Sequence, residues 1–342
     1  MARRDLVPRM LEEYGKAARA ELFAYLPSVE PRRWLYDLVA DYPKRGGRSF
    51  RPSLCIATAR AFGCTMDDVV GTAASIEMLH NAMLIHDDIE DESEMRRGKP
   101  AMHVTEGVPI AINAGDMLCM LSFRPLLENR SSLGSSMALR ILLETERMAR
   151  ESAEGQAIEL GWRRDNVMGL GEADYLEMVL KKTCWLATIH PARVGAIIGT
   201  RGRVDLDPFI RFGFFLGAAF QIQDDLLNLV GDAGAYGKEL EGDIHEGKRT
   251  LMIIHLFENG TEDERARLER MLGRPRAERT VEDVRWVRER MDHYGAIEYA
   301  REVAQGLAGA AAHEADQIFG DLPDSRDKRF LQALPTWVIE RV

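Results

Sequence analysis

Two aspartate-rich clusters constrain this chain more than anything else in it. One reads His86-Asp87-Asp88-Ile89-Glu90-Asp91, the other Gln221-Ile222-Gln223-Asp224-Asp225-Leu226-Leu227-Asn228. Each ends a long apolar stretch with helical spacing. Carboxylates four apart on a helix share one face, about 6 Å apart along the axis. Like charges packed there are unfavourable unless a cation neutralises them, and an acidic last turn also opposes the helix dipole. Taken alone, either cluster also reads as a solvated, fraying helix end. The helices over 76–85 and 209–222, however, are apolar nearly all round, and such helices belong in the middle of a bundle. Facing one another there, the clusters would hold hard divalent ions, and those ions a phosphorylated ligand. The alternating oxygen pattern of a calcium loop is missing. Magnesium, which accepts one or two carboxylates plus phosphate oxygens, fits better.

Apolar residues recur at three- and four-residue spacing from about 53 to 86, 109 to 127, 136 to 160, 173 to 200 and 207 to 230, with shorter helical patterns to the end. Strand alternation is scarce and hairpin signals are weak. Breaks fall near 27–31, 43–47, 98–109, 230–247 and 273–275, and none resembles a domain linker. The expectation is an all-α fold, one large helical bundle over residues 1–342. At 342 residues and 46% hydrophobic, the chain can bury a large core. A formal charge of -10 argues against a nucleic-acid coat while leaving room for local basic pockets. Cys55, Cys64, Cys119 and Cys184 form no CxxC pair and read as reduced thiols of a cytoplasmic protein. The first residues lack the apolar core of a signal peptide, and no apolar run of about 18 residues suggests a membrane span.

Basic, glycine-bearing segments interleave with the acids. Arg96-Arg97-Gly98-Lys99 follows the first cluster, and Gly46-Gly47-Arg48-Ser49-Phe50-Arg51-Pro52 opens a helix. Lys181-Lys182-Thr183, Tyr236-Gly237-Lys238 and Gly247-Lys248 add further cations. Glycines let the backbone approach an anion, and guanidinium forks grip phosphate oxygens in pairs. Each patch alone reads as surface charge. Together with the acids in an apolar bundle, they imply diphosphate chemistry beside a hydrocarbon pocket.

At these residues the chain resembles the trans-isoprenyl diphosphate synthases, the polyprenyl synthetase family. Asp87-Asp88-Ile89-Glu90-Asp91 with Arg96-Arg97-Gly98 matches the first aspartate-rich motif. Gln221 to Asp225, Gly237-Lys238, Gly242-Asp243 and Glu246-Gly247-Lys248-Arg249-Thr250-Leu251 match the second. The Gly46 to Pro52 loop and Lys182-Thr183 fall at the family's other two landmarks. The likeness covers roughly residues 40 to 260, in order and at the right spacing.

The resemblance implies a helical bundle around an elongated central cavity, usually as a homodimer. Asp87, Asp91 and Asp224 would bind three magnesium ions, supported by Asp88 and Asp225. Arg96, Lys182 and Lys238 would hold an allylic diphosphate, with Lys248 also in the substrate-binding set. Arg48, Arg51, His80 and Arg97 would hold isopentenyl diphosphate. Thr183 and Gln221 would face the allylic cation. His86 and His103 read as structural. Ala82, Met83 and Leu79, a turn or more before Asp87, would set product length. The small Ala82 points beyond fifteen carbons, to geranylgeranyl diphosphate, with twenty-five to thirty-five carbons as the rival. Three departures stand out: Arg48 where the family usually has lysine, Asn228 for the last aspartate of the second motif, and the bulky Trp185, which packs between helices or narrows the cavity. His190-Pro191 should kink its helix. A class I terpene cyclase and an inactive synthase subunit are the competing readings. Cyclases need no isopentenyl site, so Arg48, Arg51 and Arg97 weigh against the first. Inactive subunits tend to lose an acidic cluster, which weighs against the second.

Overall fold

A computed structural model describes residues 5–231 and 241–341. Helices dominate: α1 (Leu6–Tyr25), α2 (Phe50–Ala61), α3 (Met66–Glu90), α4 (Val108–Ser132), α5 (Ser135–Arg164), α6 (Glu172–Val179), α7 (His190–Gly199), α8 (Pro208–Val230), α9 (Leu251–Asn259), α10 (Glu262–Leu272), α11 (Val281–His293), α12 (Ala296–Phe319) and α13 (Arg326–Glu340). A ten-residue π-helix, Leu180–Ile189, joins α6 to α7. Among the described residues the strands are two short ones, β1 (Met95–Arg96) and β2 (Lys99–Pro100), paired antiparallel. The all-α expectation holds.

The apolar stretch expected from 53 to 86 is two helices. Gly63, at φ 98°, turns the chain after α2, and Thr65 with Asp68 forms a capping box that starts α3. From there α3 runs unbroken into the first acidic cluster. It packs along α4 and against α1 and α2, while α8 packs against α12, α13 and the π-helix. Both acid-bearing helices are therefore interior, as their all-round apolarity requires.

The kink at His190-Pro191 takes the form of the π-helix. Proline has no N–H to donate and crowds the preceding turn, and the wider π turn accommodates both demands. The segment is also gripped closely. A Cβ on Gly155 of α5 would sit 2.2 Å from the Lys182 nitrogen, and one on Gly217 of α8 would sit 2.8 Å from the Cys184 sulfur. Only glycine permits that approach from both sides, and the result fixes where Lys182 and Thr183 project. Trp185 settles to packing: it is buried, with the Arg147 guanidinium 4.5 Å over its ring.

Helix α4 departs from expectation. By length and composition alone it is apolar enough to cross a membrane, yet only 39% of its most apolar window is buried. Ile112, Met120 and Leu127 are exposed on it, as are Leu139 and Leu143 on α5.

His190 begins α7 fully inside the protein. Thr145 Oγ1 donates to the Ile141 carbonyl, so the 3.0 Å contact to His190 Nε2 is a bond that the imidazole donates, and Nδ1 has no partner. Burial pushes its pKa down from 6.5 to about 4. Between those values the unfolded chain binds a proton that the folded chain refuses, so stability falls as the pH drops through that window. Urea unfolding at pH 7 and pH 4 should show His190→Gln spared about 3 kcal/mol of the wild-type loss. Parallel losses would contradict this assignment.

Candidate active site

A cavity of about 650 Å³ opens where α3, α5, the π-helix and α8 converge. Asp87 and Asp224 both line it, so the clusters do meet across one space. Arg48, Arg51, His80, Arg96, Arg97, Lys182, Thr183, Gln221, Asp225 and Lys248 also reach its wall. Met83, Leu84, Met178, Val179 and Leu186 give an apolar lining. Lys238 lies outside the described residues.

The two aspartates of each pair have different surroundings. Asp88 is fully buried, gripped by the Arg96 guanidinium and by the Tyr42 hydroxyl at 2.5 Å. Asp225 is also buried; it accepts from Tyr175 at 2.8 Å and from the Gln221 amide at 2.7 Å. Burial and the nearby Asp243 push the Asp225 carboxyl up to about 8. Thr183 in turn donates to Gln221 Oε1 at 2.8 Å. A hydrogen-bonded chain thus runs from Tyr175 through Asp225 and Gln221 to the hydroxyl of Thr183 at the cavity wall.

Asp91 is almost completely buried and does not line the cavity. Arg163 bonds it, and the Lys248 ammonium lies 3.0 Å away. Burial works to raise its pKa, but Lys248, Lys182 and Arg163 outweigh that and hold it well below the usual carboxylate range. Lys182 sits between Glu159 and Asp87, the latter at 3.5 Å. Arg341 donates to Asp224 at 2.6 Å and to the Phe220 carbonyl at 2.7 Å, and lies over the Phe220 ring. Coordination of a metal by Asp91 or Asp224 requires Lys248 or Arg341 to turn away. Among the described residues no three histidine, cysteine, aspartate or glutamate side chains converge into a cage. The donors fit a cation that takes one or two carboxylates and completes its shell with water and phosphate oxygens.

A second basic group lines the same cavity. Arg97 occupies the turn between β1 and β2 at φ 52°, followed by Gly98 at 72°. That left-handed pair makes the tight hairpin turn and aims Arg97 at the Tyr42 carbonyl and Asn81. Arg51 approaches His80 Nε2 at 3.4 Å. Beneath them lies Glu77, buried, accepting from Asn81. Burial lowers the pKa of Arg51 to about 10, with Glu77 and Asp224 opposing the fall. Burial together with Arg51, Arg97 and Arg96 keeps His80 neutral.

Several expected roles meet a different geometry. Ala82 packs with Met78, Ala111, Ala114 and Leu118, and Leu79 with another core cluster. Neither lines the cavity; Met83 does. Asn228 is buried, and its side-chain oxygen accepts from the Asp243 backbone N–H at 3.1 Å, so it ties down the following segment. His86 reaches the edge of the cavity and faces Asp116 at 3.4 Å. The sequence reading missed Tyr42, Tyr175, Glu77, Glu159, Arg163 and Arg341. None belongs to a local motif; each becomes recognisable only when separate helices are brought together.

Such a bundle, with two acidic helix ends, several basic side chains and an apolar wall lining one cavity, defines a class of enzymes that ionise isoprenyl diphosphates. Residues 32–291 match the polyprenyl synthetase family. A short chain isoprenyl diphosphate synthase of Methanothermobacter thermautotrophicus is 36% identical over 296 residues, covering 86% of this chain and 87% of that protein. A geranylgeranyl pyrophosphate synthase of Geoglobus acetivorans is 33% identical, covering 98% and 99%. The crystal structure of a Caulobacter crescentus CB15 polyprenyl synthase, complexed with calcium and isoprenyl diphosphate, superimposes with a TM-score of 0.86 at 28% identity, covering 98% of this chain and 97% of that one. The chain belongs to the polyprenyl synthetase family and is a metal-dependent prenyltransferase that elongates prenyl diphosphates.

Proposed function

We propose that this enzyme, acting as one domain across residues 1–342, joins an allylic diphosphate to isopentenyl diphosphate and releases mainly geranylgeranyl diphosphate. The observation that carries this reading is the shared cavity: Asp87 and Asp224 line it together with the separate basic group of Arg48, Arg51 and Arg97. A terpene cyclase has no use for that second group. An inactive subunit has no use for two intact acidic faces.

Asp87, Asp91 and Asp224 are the proposed ligands of three magnesium ions. Bound magnesium would neutralise the charge growing on the departing diphosphate. Lys182, Lys248 and Arg96 bind the same phosphates, joined by Lys238. Arg48, Arg51, Arg97 and neutral His80 orient isopentenyl diphosphate so that its double bond meets the allylic carbon. The hydroxyl of Thr183, anchored through Gln221, turns its lone pairs toward the positive charge. Apolar walls exclude the water that would quench the cation. The released diphosphate takes the last proton, so His80 need not act as a base.

The exposed apolar residues of α4 and α5 support a homodimer formed by a second copy of the chain, the assembly the family resemblance implies. Four free cysteines fit a reducing, cytoplasmic setting. Light scattering should give a dimer for the wild type and a monomer for Leu139→Glu with Leu143→Glu. A wild-type monomer, or an unaffected dimer, would contradict that assembly.

Elongation is tested with purified enzyme, magnesium, isopentenyl diphosphate and farnesyl diphosphate, with products read by mass spectrometry. The expected product carries twenty carbons and disappears with EDTA. Starting from dimethylallyl diphosphate, Met83→Phe should shift the product toward fifteen carbons, because Met83 rather than Ala82 faces the cavity. A wild-type product of twenty-five carbons or more, or an unchanged length in Met83→Phe, would overturn the product assignment.

A further inference from the structure

The two acidic clusters are built alike in a way their sequences do not announce. In each, a phenol from a distant element is bonded to the second aspartate. Tyr42 precedes the basic loop and is entirely buried; its hydroxyl donates to Asp88 Oδ2 and accepts the Met102 N–H at 3.2 Å. Tyr175, on α6, is equally enclosed, and its hydroxyl donates to Asp225 Oδ2. The remaining oxygen of each carboxylate is also engaged, by Arg96 on Asp88 and by Gln221 on Asp225. A buried carboxylate so bonded has its orientation fixed from both sides. Among the described residues no phenol bonds the first aspartate of either pair, and its side chain stays 24% exposed at Asp87 and 37% at Asp224.

We propose that Tyr42 and Tyr175 are paired positioning residues: each phenol fixes the second aspartate of its cluster and so holds the dipeptide in the orientation that presents the first aspartate to the cavity. Neither phenol need touch substrate to do this. At the first cluster this leaves Asp87 alone of its pair at the cavity, with Asp88 behind it; at the second, Asp225 and Tyr175 reach the wall beside Asp224, so the phenol fixes a carboxyl group that itself borders the ligand site. Tyr175 has a second effect, because its bond to Asp225 is the inner end of the chain that orients Gln221 and Thr183. Loss of the Tyr175 hydroxyl should therefore disturb both diphosphate capture and the oxygens facing the reacting carbon. Loss of the Tyr42 hydroxyl should disturb capture alone. The inference rests on the proposed metal-binding role of Asp87 and Asp224.

The test uses full-length Tyr42→Phe and Tyr175→Phe, which keep the ring volume and sit on separate elements, so a folding failure in one leaves the other informative. Binding of inorganic diphosphate is followed by calorimetry while magnesium is titrated. Each variant should need about 10-fold more magnesium for half-maximal binding, the usual scale for losing a group that orients a metal ligand. The KM for isopentenyl diphosphate should stay within about twofold in both, since Arg48, Arg51 and Arg97 are untouched, while kcat falls about 10-fold further in Tyr175→Phe than in Tyr42→Phe. A purely structural role predicts lower melting temperatures with an unmoved magnesium midpoint. That result, with the wild type binding normally, would overturn this inference alone. Failure of the wild type to bind diphosphate in a magnesium-dependent way would overturn the metal reading and this inference with it.

Discussion

Carboxylates placed at the inner ends of apolar helices create a charge problem, and the surrounding architecture is arranged to solve it. Asp87, Asp88 and Asp91 lie within five residues of one another on or just beyond α3, and Asp224 and Asp225 reach from α8 the cavity that Asp87 lines. In a low-dielectric interior such a group is costly unless cations and donors surround it. Here the compensation comes from every side. Arg96 arrives from the hairpin, Arg163 from α5, Lys182 from the π-helix, Lys248 from the loop before α9, and Arg341 from just beyond α13. These cations are also the groups a diphosphate would attract. The same electrostatics that let the acids be buried therefore equip the cavity for a phosphorylated ligand carried by metal.

Backbone geometry serves the same end. The π-helix places Lys182 and Thr183 on the wall because Gly155 and Gly217 let α5 and α8 come close enough to hold it. The hairpin turn spends left-handed conformations on Arg97 and Gly98, which sends the two arginines to different partners: Arg96 to Asp88, Arg97 to the Tyr42 carbonyl and Asn81. A buried Glu77 offsets the charge of that group from below.

Much of this was legible in the sequence because it depends on local spacing. Helical periodicity announced the bundle, and the aspartate and arginine-glycine motifs announced the chemistry. The break at Gly63 could have been read from Thr65 and Asp68, since a capping box is local. What stayed hidden depends on pairs remote in the chain. Tyr42 and Asp88 are joined only when the basic loop folds over α3, and Glu159 and Lys182 only when α5 meets the π-helix. Side-chain direction was the other hidden variable. Ala82 and Met83 are neighbours in sequence, but successive helical positions point about 100° apart, so one enters the core and the other the cavity.

Asp87 and Asp224 line one cavity and are proposed to act on one ligand there. The most direct measurement is anomalous diffraction from crystals grown with manganese and inorganic diphosphate. Metal peaks are expected on both sides of the diphosphate, one coordinated by Asp87 and another by Asp224. Peaks confined to one wall, or diphosphate bound with neither aspartate within coordinating distance of a metal, would contradict that proposal.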